Sequence, residues 1–299
     1  MSEEDAFNSC STNDIDTHNK EKNAKKVPTL PEIARKVAKL QKIQLDEKQY
    51  IAYEMIACTF LLGLVKDGRD AHTNLGAYLQ QNLGGPTTTD IQDLVKRLKA
   101  RGGQEHMLMF LTGPAGSGKS SALMVAQQFC YEFCLSVGVM WSDKTFLFTA
   151  YTGSAASLFG GVTISKAAFI NQNSALSLDD INEWQGVRLL IIDEISFISD
   201  SVLKKRDKKL EQIGNAARVF GGFSIIFLGD FCQLEPVCSN DSELLFSSLS
   251  SGLWGNSINV VIILDNDHCF KEDPEYGKML KRMWNGDLTS EDRKKLTPE

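Results

Sequence analysis

What this sequence lacks narrows its reading first. No apolar run reaches the roughly 20 residues that span a bilayer; the longest, MIACTFLLGLV from Met55 to Val65, suits a buried helix. The opening MSEEDAFNSC has no apolar core for a secretory signal and carries acids that transit peptides avoid, so an intracellular protein is expected. Basic charge is not in excess either. A formal net charge of -6 argues against a uniformly basic surface, although a local basic groove is enough to hold phosphates. The seven cysteines are odd in number and lack metal-type spacing, which leaves buried free thiols as the expectation. Internal repeats are missing too.

What is present is enough apolar content, 42% of 299 residues, to bury a full core. Residues 1 to 27 are polar, with almost no aromatic or β-branched content, and read as a disordered tail. Its basic run from Lys20 to Lys26 reads as a solvated charge run, with a nuclear signal or a nucleic-acid arm as alternatives. Helical patterning from Pro31 onward marks a helical N-terminal region over 28 to 100.

Five short apolar runs follow: Met107–Leu111, Thr145–Ala150, Val187–Ile192, Phe223–Leu228 and Asn259–Leu264. Continuous apolarity over four to six residues fits strands covered on both faces, and the spacing between them leaves room for helical crossovers. The expected fold is therefore α/β, three layers built on a mostly parallel sheet. In such a sheet a ligand sits beyond the carboxyl ends of the strands. Polar clusters lie at those ends.

The first cluster is GPAGSGKS, between a strand and a helix whose Ala122, Val125, Ala126, Phe129 and Phe133 form one apolar stripe. This is the phosphate-loop pattern, which makes the protein a P-loop NTPase candidate. Backbone N–H groups from Gly113, Pro114, Ala115, Gly116, Ser117, Gly118, Lys119, Ser120 and Ser121 are the expected nucleotide cradle, Pro114 offering only its shape. Lys119 is expected to reach the β- and γ-phosphates of ATP, and Ser120 to ligate Mg²⁺. The second cluster is Asp193-Glu194, where Asp193 is expected to hold the magnesium and Glu194 to orient the attacking water. The third, LGDFCQLEPV from Leu228 to Val237, offers Gly229, Asp230 and Gln233 to the same edge. Gln233 could hydrogen-bond a γ-phosphate and report its loss. The lysine-rich KKRDKKLEQI, from Lys204, reads as the solvated face of a helix rather than a DNA-binding patch.

The ordered set GPAGSGKS, TAYTGSAA, IIDEIS and GDFCQLEPV closely resembles the first RecA-like domain of the Pif-type (petite integration frequency) DNA helicases of superfamily one. The resemblance covers about Leu45 to Leu288 and divides the chain into a RecA-like ATPase domain, 101 to 265, and the start of the next helicase segment, 266 to 299. It implies that Gln49, in LDEKQ, reads adenine, a surface glutamine being the alternative, and that Thr152, Gly153 and Ser154 touch single-stranded DNA. It further implies 5′ to 3′ translocation driven by ATP hydrolysis, unwinding at duplex junctions, and work in repair, recombination or telomere maintenance. The organelle, nucleus or mitochondrion, is left open.

Two departures accompany the resemblance. Cys269 follows the histidine where the family carries an arginine that reaches the γ-phosphate, and the chain stops before the family's second RecA-like domain, which a longer chain or a partner would have to supply. Arg282 is nearby in sequence, but its helical setting gives no reason to aim it at the nucleotide. The rival reading is a catalytically impaired, ATP-dependent module that binds single-stranded DNA. A small-molecule kinase is disfavoured, because Glu194 and the third cluster have no role in one.

Overall fold

The computed structural model describes residues 28–67, 106–157, 160–167, 176–236, 244–247, 252–266 and 273–296. The tail over 1 to 27 and the later part of the helical N-terminal region lie outside the described residues, as does Cys269.

Six strands form one sheet: β1 Leu108–Thr112, β2 Phe146–Ala150, β3 Val162–Thr163, β4 Leu189–Asp193, β5 Ile225–Gly229 and β6 Val260–Ile263. Their order is β3-β2-β4-β5-β1-β6, and every neighbouring pair is parallel. The five apolar runs all became strands. The sixth, β3, has two residues, too few to leave a signature in sequence. β1 and β5 are buried at every position because both faces are covered. At the edge, β6 alternates, leaving Val261 and Ile263 exposed where continuous apolarity suggested cover on both faces.

Successive side chains of a strand point to opposite faces, so the sheet divides its core in two. On one face Met109, Leu111, Ile226 and Leu228 pack against helices α1 (Leu30–Gln41), α2 (Glu47–Asp67) and α3 (Lys119–Val137). Ile56 and Phe60 of α2 and Phe129 and Phe133 of α3 meet there, so the described N-terminal helices share a core with the sheet. On the other face Leu108, Phe110, Ile225 and Phe227 meet Phe220, Trp254 and Leu203. Each fully buried Leu, Ile or Phe contributes about 1.5–3 kcal/mol. The stripe expected on α3 is buried in full.

Two expectations need correction. The helix after β4, Asp200–Ile213, exposes Lys204, Lys205 and Lys208 but buries Arg206 and Asp207. Those two share a face with Leu203, Leu210 and Ile213 at helical spacing, and charge at apolar positions hid the stripe. Phe220 donates its backbone N–H to Asp207 Oδ1 at 2.6 Å. Among the described residues the guanidinium of Arg206 has no hydrogen-bond partner, and burial brings its pKa down to about 9. Among the cysteines, Cys130 and Cys134 are buried free thiols, whereas Cys232 is exposed on the turn after β5.

Candidate nucleotide and nucleic-acid site

The glycine-rich loop joins β1, which lies between β5 and the edge strand β6, to the start of α3. Gly113 sits at φ +147, and a Cβ there would lie 2.2 Å from Leu264 O and 2.8 Å from Ser117 Oγ. Only glycine fits this crossing beside the end of β6. Ser117 N closes the turn on Pro114 O at 3.2 Å. Lys119 curls over the loop, its Nζ donating to Gly113 O at 2.6 Å and Pro114 O at 3.1 Å. Burial lowers the pKa of this ammonium, and the nearby Asp230 and Asp193 oppose the shift.

The loop fits a phosphate group. Among the described residues Ser117 Oγ is buried without a hydrogen-bond partner and Lys119 donates to carbonyls of its own loop, contacts a phosphate oxygen can replace. Ser120 opens to solvent at the first turn of α3, with Ser121 half-buried beside it. Among the described residues no three acids, histidines or cysteines cluster as a ready metal cage. A magnesium ion shared with phosphates needs only one or two protein ligands, and Ser120 with Asp193 fits that donor set.

Gln49 is not a surface residue: it is 2% exposed and reaches the loop. Its Nε2 donates to Ser117 O at 3.0 Å. Its Oε1 accepts from Asp46 N at 3.0 Å, while Gln49 N donates to Asp46 Oδ1 at 2.9 Å, a reciprocal bracket at the start of α2. The glutamine thereby ties the α2 start to the floor of the cradle.

At the tip of β4, Asp193 lies in register with Ala150 of β2. Asp193 Oδ1 accepts from Glu194 N at 2.8 Å, and Glu194 adopts a left-handed backbone, φ 56 and ψ 44. For a residue with a side chain this costs on the order of 1 kcal/mol or more, a strain common at functional sites. The register also brings Thr152, two residues past β2, alongside Glu194. Thr152 Oγ1 donates to Glu194 Oε2 at 3.0 Å. Gly153 and Ser154 are exposed next to it, and Tyr151 stacks on Phe197 with a 17° angle between rings 5.9 Å apart.

The third cluster turns on Asp230, 3% exposed at the end of β5. Its Oδ1 accepts from Cys232 N and from Trp284 Nε1, both at 2.9 Å, and Gln233 Nε2 approaches Oδ2 at 3.4 Å. Gln233 itself is exposed. Trp284 belongs to the helix Pro274–Asn285, whose Arg282 makes a two-pronged ion pair with Asp292, both bonds 2.7 Å. Arg282 is thus committed to its own segment. Sequence reading brought Asp230 to this edge but missed it as a hub. The turn bond to Cys232 was legible from the Asp two residues earlier; Trp284, 54 residues on, was not.

Lys119, Asp193, Glu194 and Gln233 therefore stand at the carboxyl ends of the adjacent strands β1, β4 and β5. A parallel α/β sheet with a glycine-rich loop opening a helix after β1, and acids at the tips of the neighbouring strands, defines a P-loop NTPase of RecA-like type. The sequence model of the family described as PIF1-like helicase matches residues 90–294, and the chain belongs to that family. ATP-dependent DNA helicase PIF1 of Saccharomyces cerevisiae (strain YJM789) is 29% identical over 193 residues, covering 61% of this chain and 22% of that protein. The crystal structure of the Pif1 helicase from Candida albicans matches with a TM-score of 0.51 and 27% identity over 68% of this chain and 45% of that one. Bacteroides Pif1 bound to ssDNA matches with a TM-score of 0.50 and 25% identity, covering 69% of this chain and 48% of that one. The chain thus spans under a quarter of that yeast relative's length and about half of these solved chains. Among the described residues no helix is long and apolar enough to cross a membrane.

Proposed function

We propose that this chain is the first motor domain of an ATP-dependent DNA helicase, hydrolysing ATP to move 5′ to 3′ along single-stranded DNA and to open duplex at junctions. One observation carries the reading: in a chain of this family, the loop bearing Lys119 follows β1, Asp230 follows β5 and Asp193 and Glu194 stand at the end of β4, three adjacent strands with their carboxyl ends at one edge. Lys119 exchanges the carbonyls of Gly113 and Pro114 for phosphate oxygens. Ser120 and Asp193 hold Mg²⁺, which when bound neutralises charge on the β- and γ-phosphates. Glu194 orients and polarises the attacking water, and Gln233, standing on Asp230, answers to the presence of the last phosphate. Gln49 holds the cradle floor and has one amide hydrogen left for the base. Thr152, Gly153 and Ser154 take the DNA backbone, where small residues allow close approach to phosphate. A second RecA-like domain, from a longer chain or a partner, supplies the opposite wall of the cleft. Such a motor works where DNA is kept, nucleus or mitochondrion, in repair, recombination or telomere maintenance.

Steady-state ATP turnover with and without a single-stranded oligonucleotide tests this reading. Turnover that rises on adding the oligonucleotide is the expected result. Tight ATP binding with negligible turnover in both conditions would contradict it and leave a nucleotide-gated DNA-binding module.

A further inference from the structure

We infer that Thr152 is a positioning residue that holds the Glu194 carboxylate away from the nucleotide until a DNA phosphate accepts the hydrogen bond of its hydroxyl instead, so that DNA binding itself releases the group that orients water. The inference rests on the functional reading above and adds to it the means by which DNA turns hydrolysis on.

Counting protons carries the argument. A threonine hydroxyl has one hydrogen and two lone pairs, and an ionised carboxylate can only accept. At 3.0 Å the hydrogen between Thr152 Oγ1 and Glu194 Oε2 therefore belongs to Thr152. Its lone pairs face Ala155 N–H at 3.3 Å and the Ser154 hydroxyl, also at 3.3 Å, which must be the donor since Thr152 has no second hydrogen. The hydroxyl is thus fully engaged. A phosphate oxygen can only accept as well, so Thr152 can bond it only by turning its hydrogen away from Glu194. The two bonds exclude each other.

Release needs no refolding. The backbone of Glu194 is fixed separately, by its N–H on Asp193 Oδ1 at 2.8 Å, so only side-chain torsions change when the latch opens. The held carboxylate is also turned away from the nucleotide loop: Thr152 follows β2, on one side of β4, whereas the loop follows β1, on the other side of β4 beyond β5. A phosphate arriving at Thr152 would in addition repel the freed carboxylate from that corner. Because β2 and β4 are neighbours with Ala150 opposite Asp193, the contact follows from strand order and register.

Coupling of this kind is reciprocal: if DNA frees Glu194, then Glu194 must weaken DNA binding through Thr152 by the same factor. Binding of a fluorescent oligodeoxythymidylate without nucleotide, to wild type, Glu194→Ala, Thr152→Val and the double variant, measures that factor without any turnover. Glu194→Ala is expected to tighten binding about 5-fold or more when Thr152 is present, and by less than about 2-fold in the Thr152→Val background. Loss of a negative charge alone would tighten both backgrounds equally. As a second readout, Thr152→Val should raise DNA-free ATP turnover and shrink its stimulation by DNA, while Thr152→Ser, which keeps the hydroxyl, restores both. Equal tightening in the two backgrounds, or a fall in DNA-free turnover for Thr152→Val, would overturn the latch and leave the helicase reading standing. Failure of wild type to bind the oligonucleotide would overturn both.

Discussion

The phosphate loop and the Thr152–Glu194 pair lie on the same edge of the sheet, yet they are restrained very differently. The loop is held from several directions: Leu264 O presses against Gly113, Gln49 grips Ser117 O from α2, and Lys119 folds over its own carbonyls within the field of Asp230 and Asp193. Asp230 is in turn held by Trp284, from the helix after β6. Among the described residues the Glu194 side chain hangs on one hydroxyl. A part that must present fixed N–H groups to a phosphate gains from redundant restraint, because preorganised groups need no rearrangement during reaction. A part that must change state gains from having one bond to break.

Substitutions can sharpen or break this contrast. Gly113→Ala should have the largest effect on stability, because its Cβ would meet backbone at Leu264 and has nowhere to move. A loss of about 3 kcal/mol or more, read as a lower thermal midpoint, is expected together with loss of ATP binding. Asp230→Ala comes next. It strands the Trp284 indole N–H and the Cys232 N–H and removes an acid that acts on Lys119, at about 1–3 kcal/mol in the same thermal measurement. Thr152→Val should cost the least, within about 1 kcal/mol, because the partner it leaves is a half-buried carboxylate that water can reach. A Thr152→Val loss as large as that of Gly113→Ala would show that the pair is structural cement rather than a switch.

How much of this was legible in the sequence depended on the range of the interaction. Strands β1, β2, β4, β5 and β6 were readable because an apolar run is a local signal, and the cradle because its glycines, Lys119 and the following stripe lie within one strand-loop-helix unit. The burial of Gln49 against Ser117, 68 residues away, was not readable. Nor were the Trp284 bond to Asp230 and the Thr152 bond to Glu194, 42 residues apart. All three depend on which elements become neighbours, and the order β3-β2-β4-β5-β1-β6 is written in no single segment. Arg206 and Asp207 were misread for a different reason. Their charge pointed to solvent, while their helical spacing from Leu203 and Leu210 pointed inward, and packing decided the outcome. The β6 edge shows the converse: Val261 and Ile263 are apolar yet exposed, since an edge strand has one covered face fewer than its composition suggests.

The central claim is that one edge of the sheet brings Lys119, Asp193 and Glu194 together on a single ATP, with Glu194 acting only on the water. ATP turnover by Glu194→Gln in the presence of single-stranded DNA, measured beside ATP binding by the same protein, tests it most directly. Turnover lowered about 10²- to 10⁴-fold with binding retained is the predicted result. Turnover equal to that of wild type would contradict it.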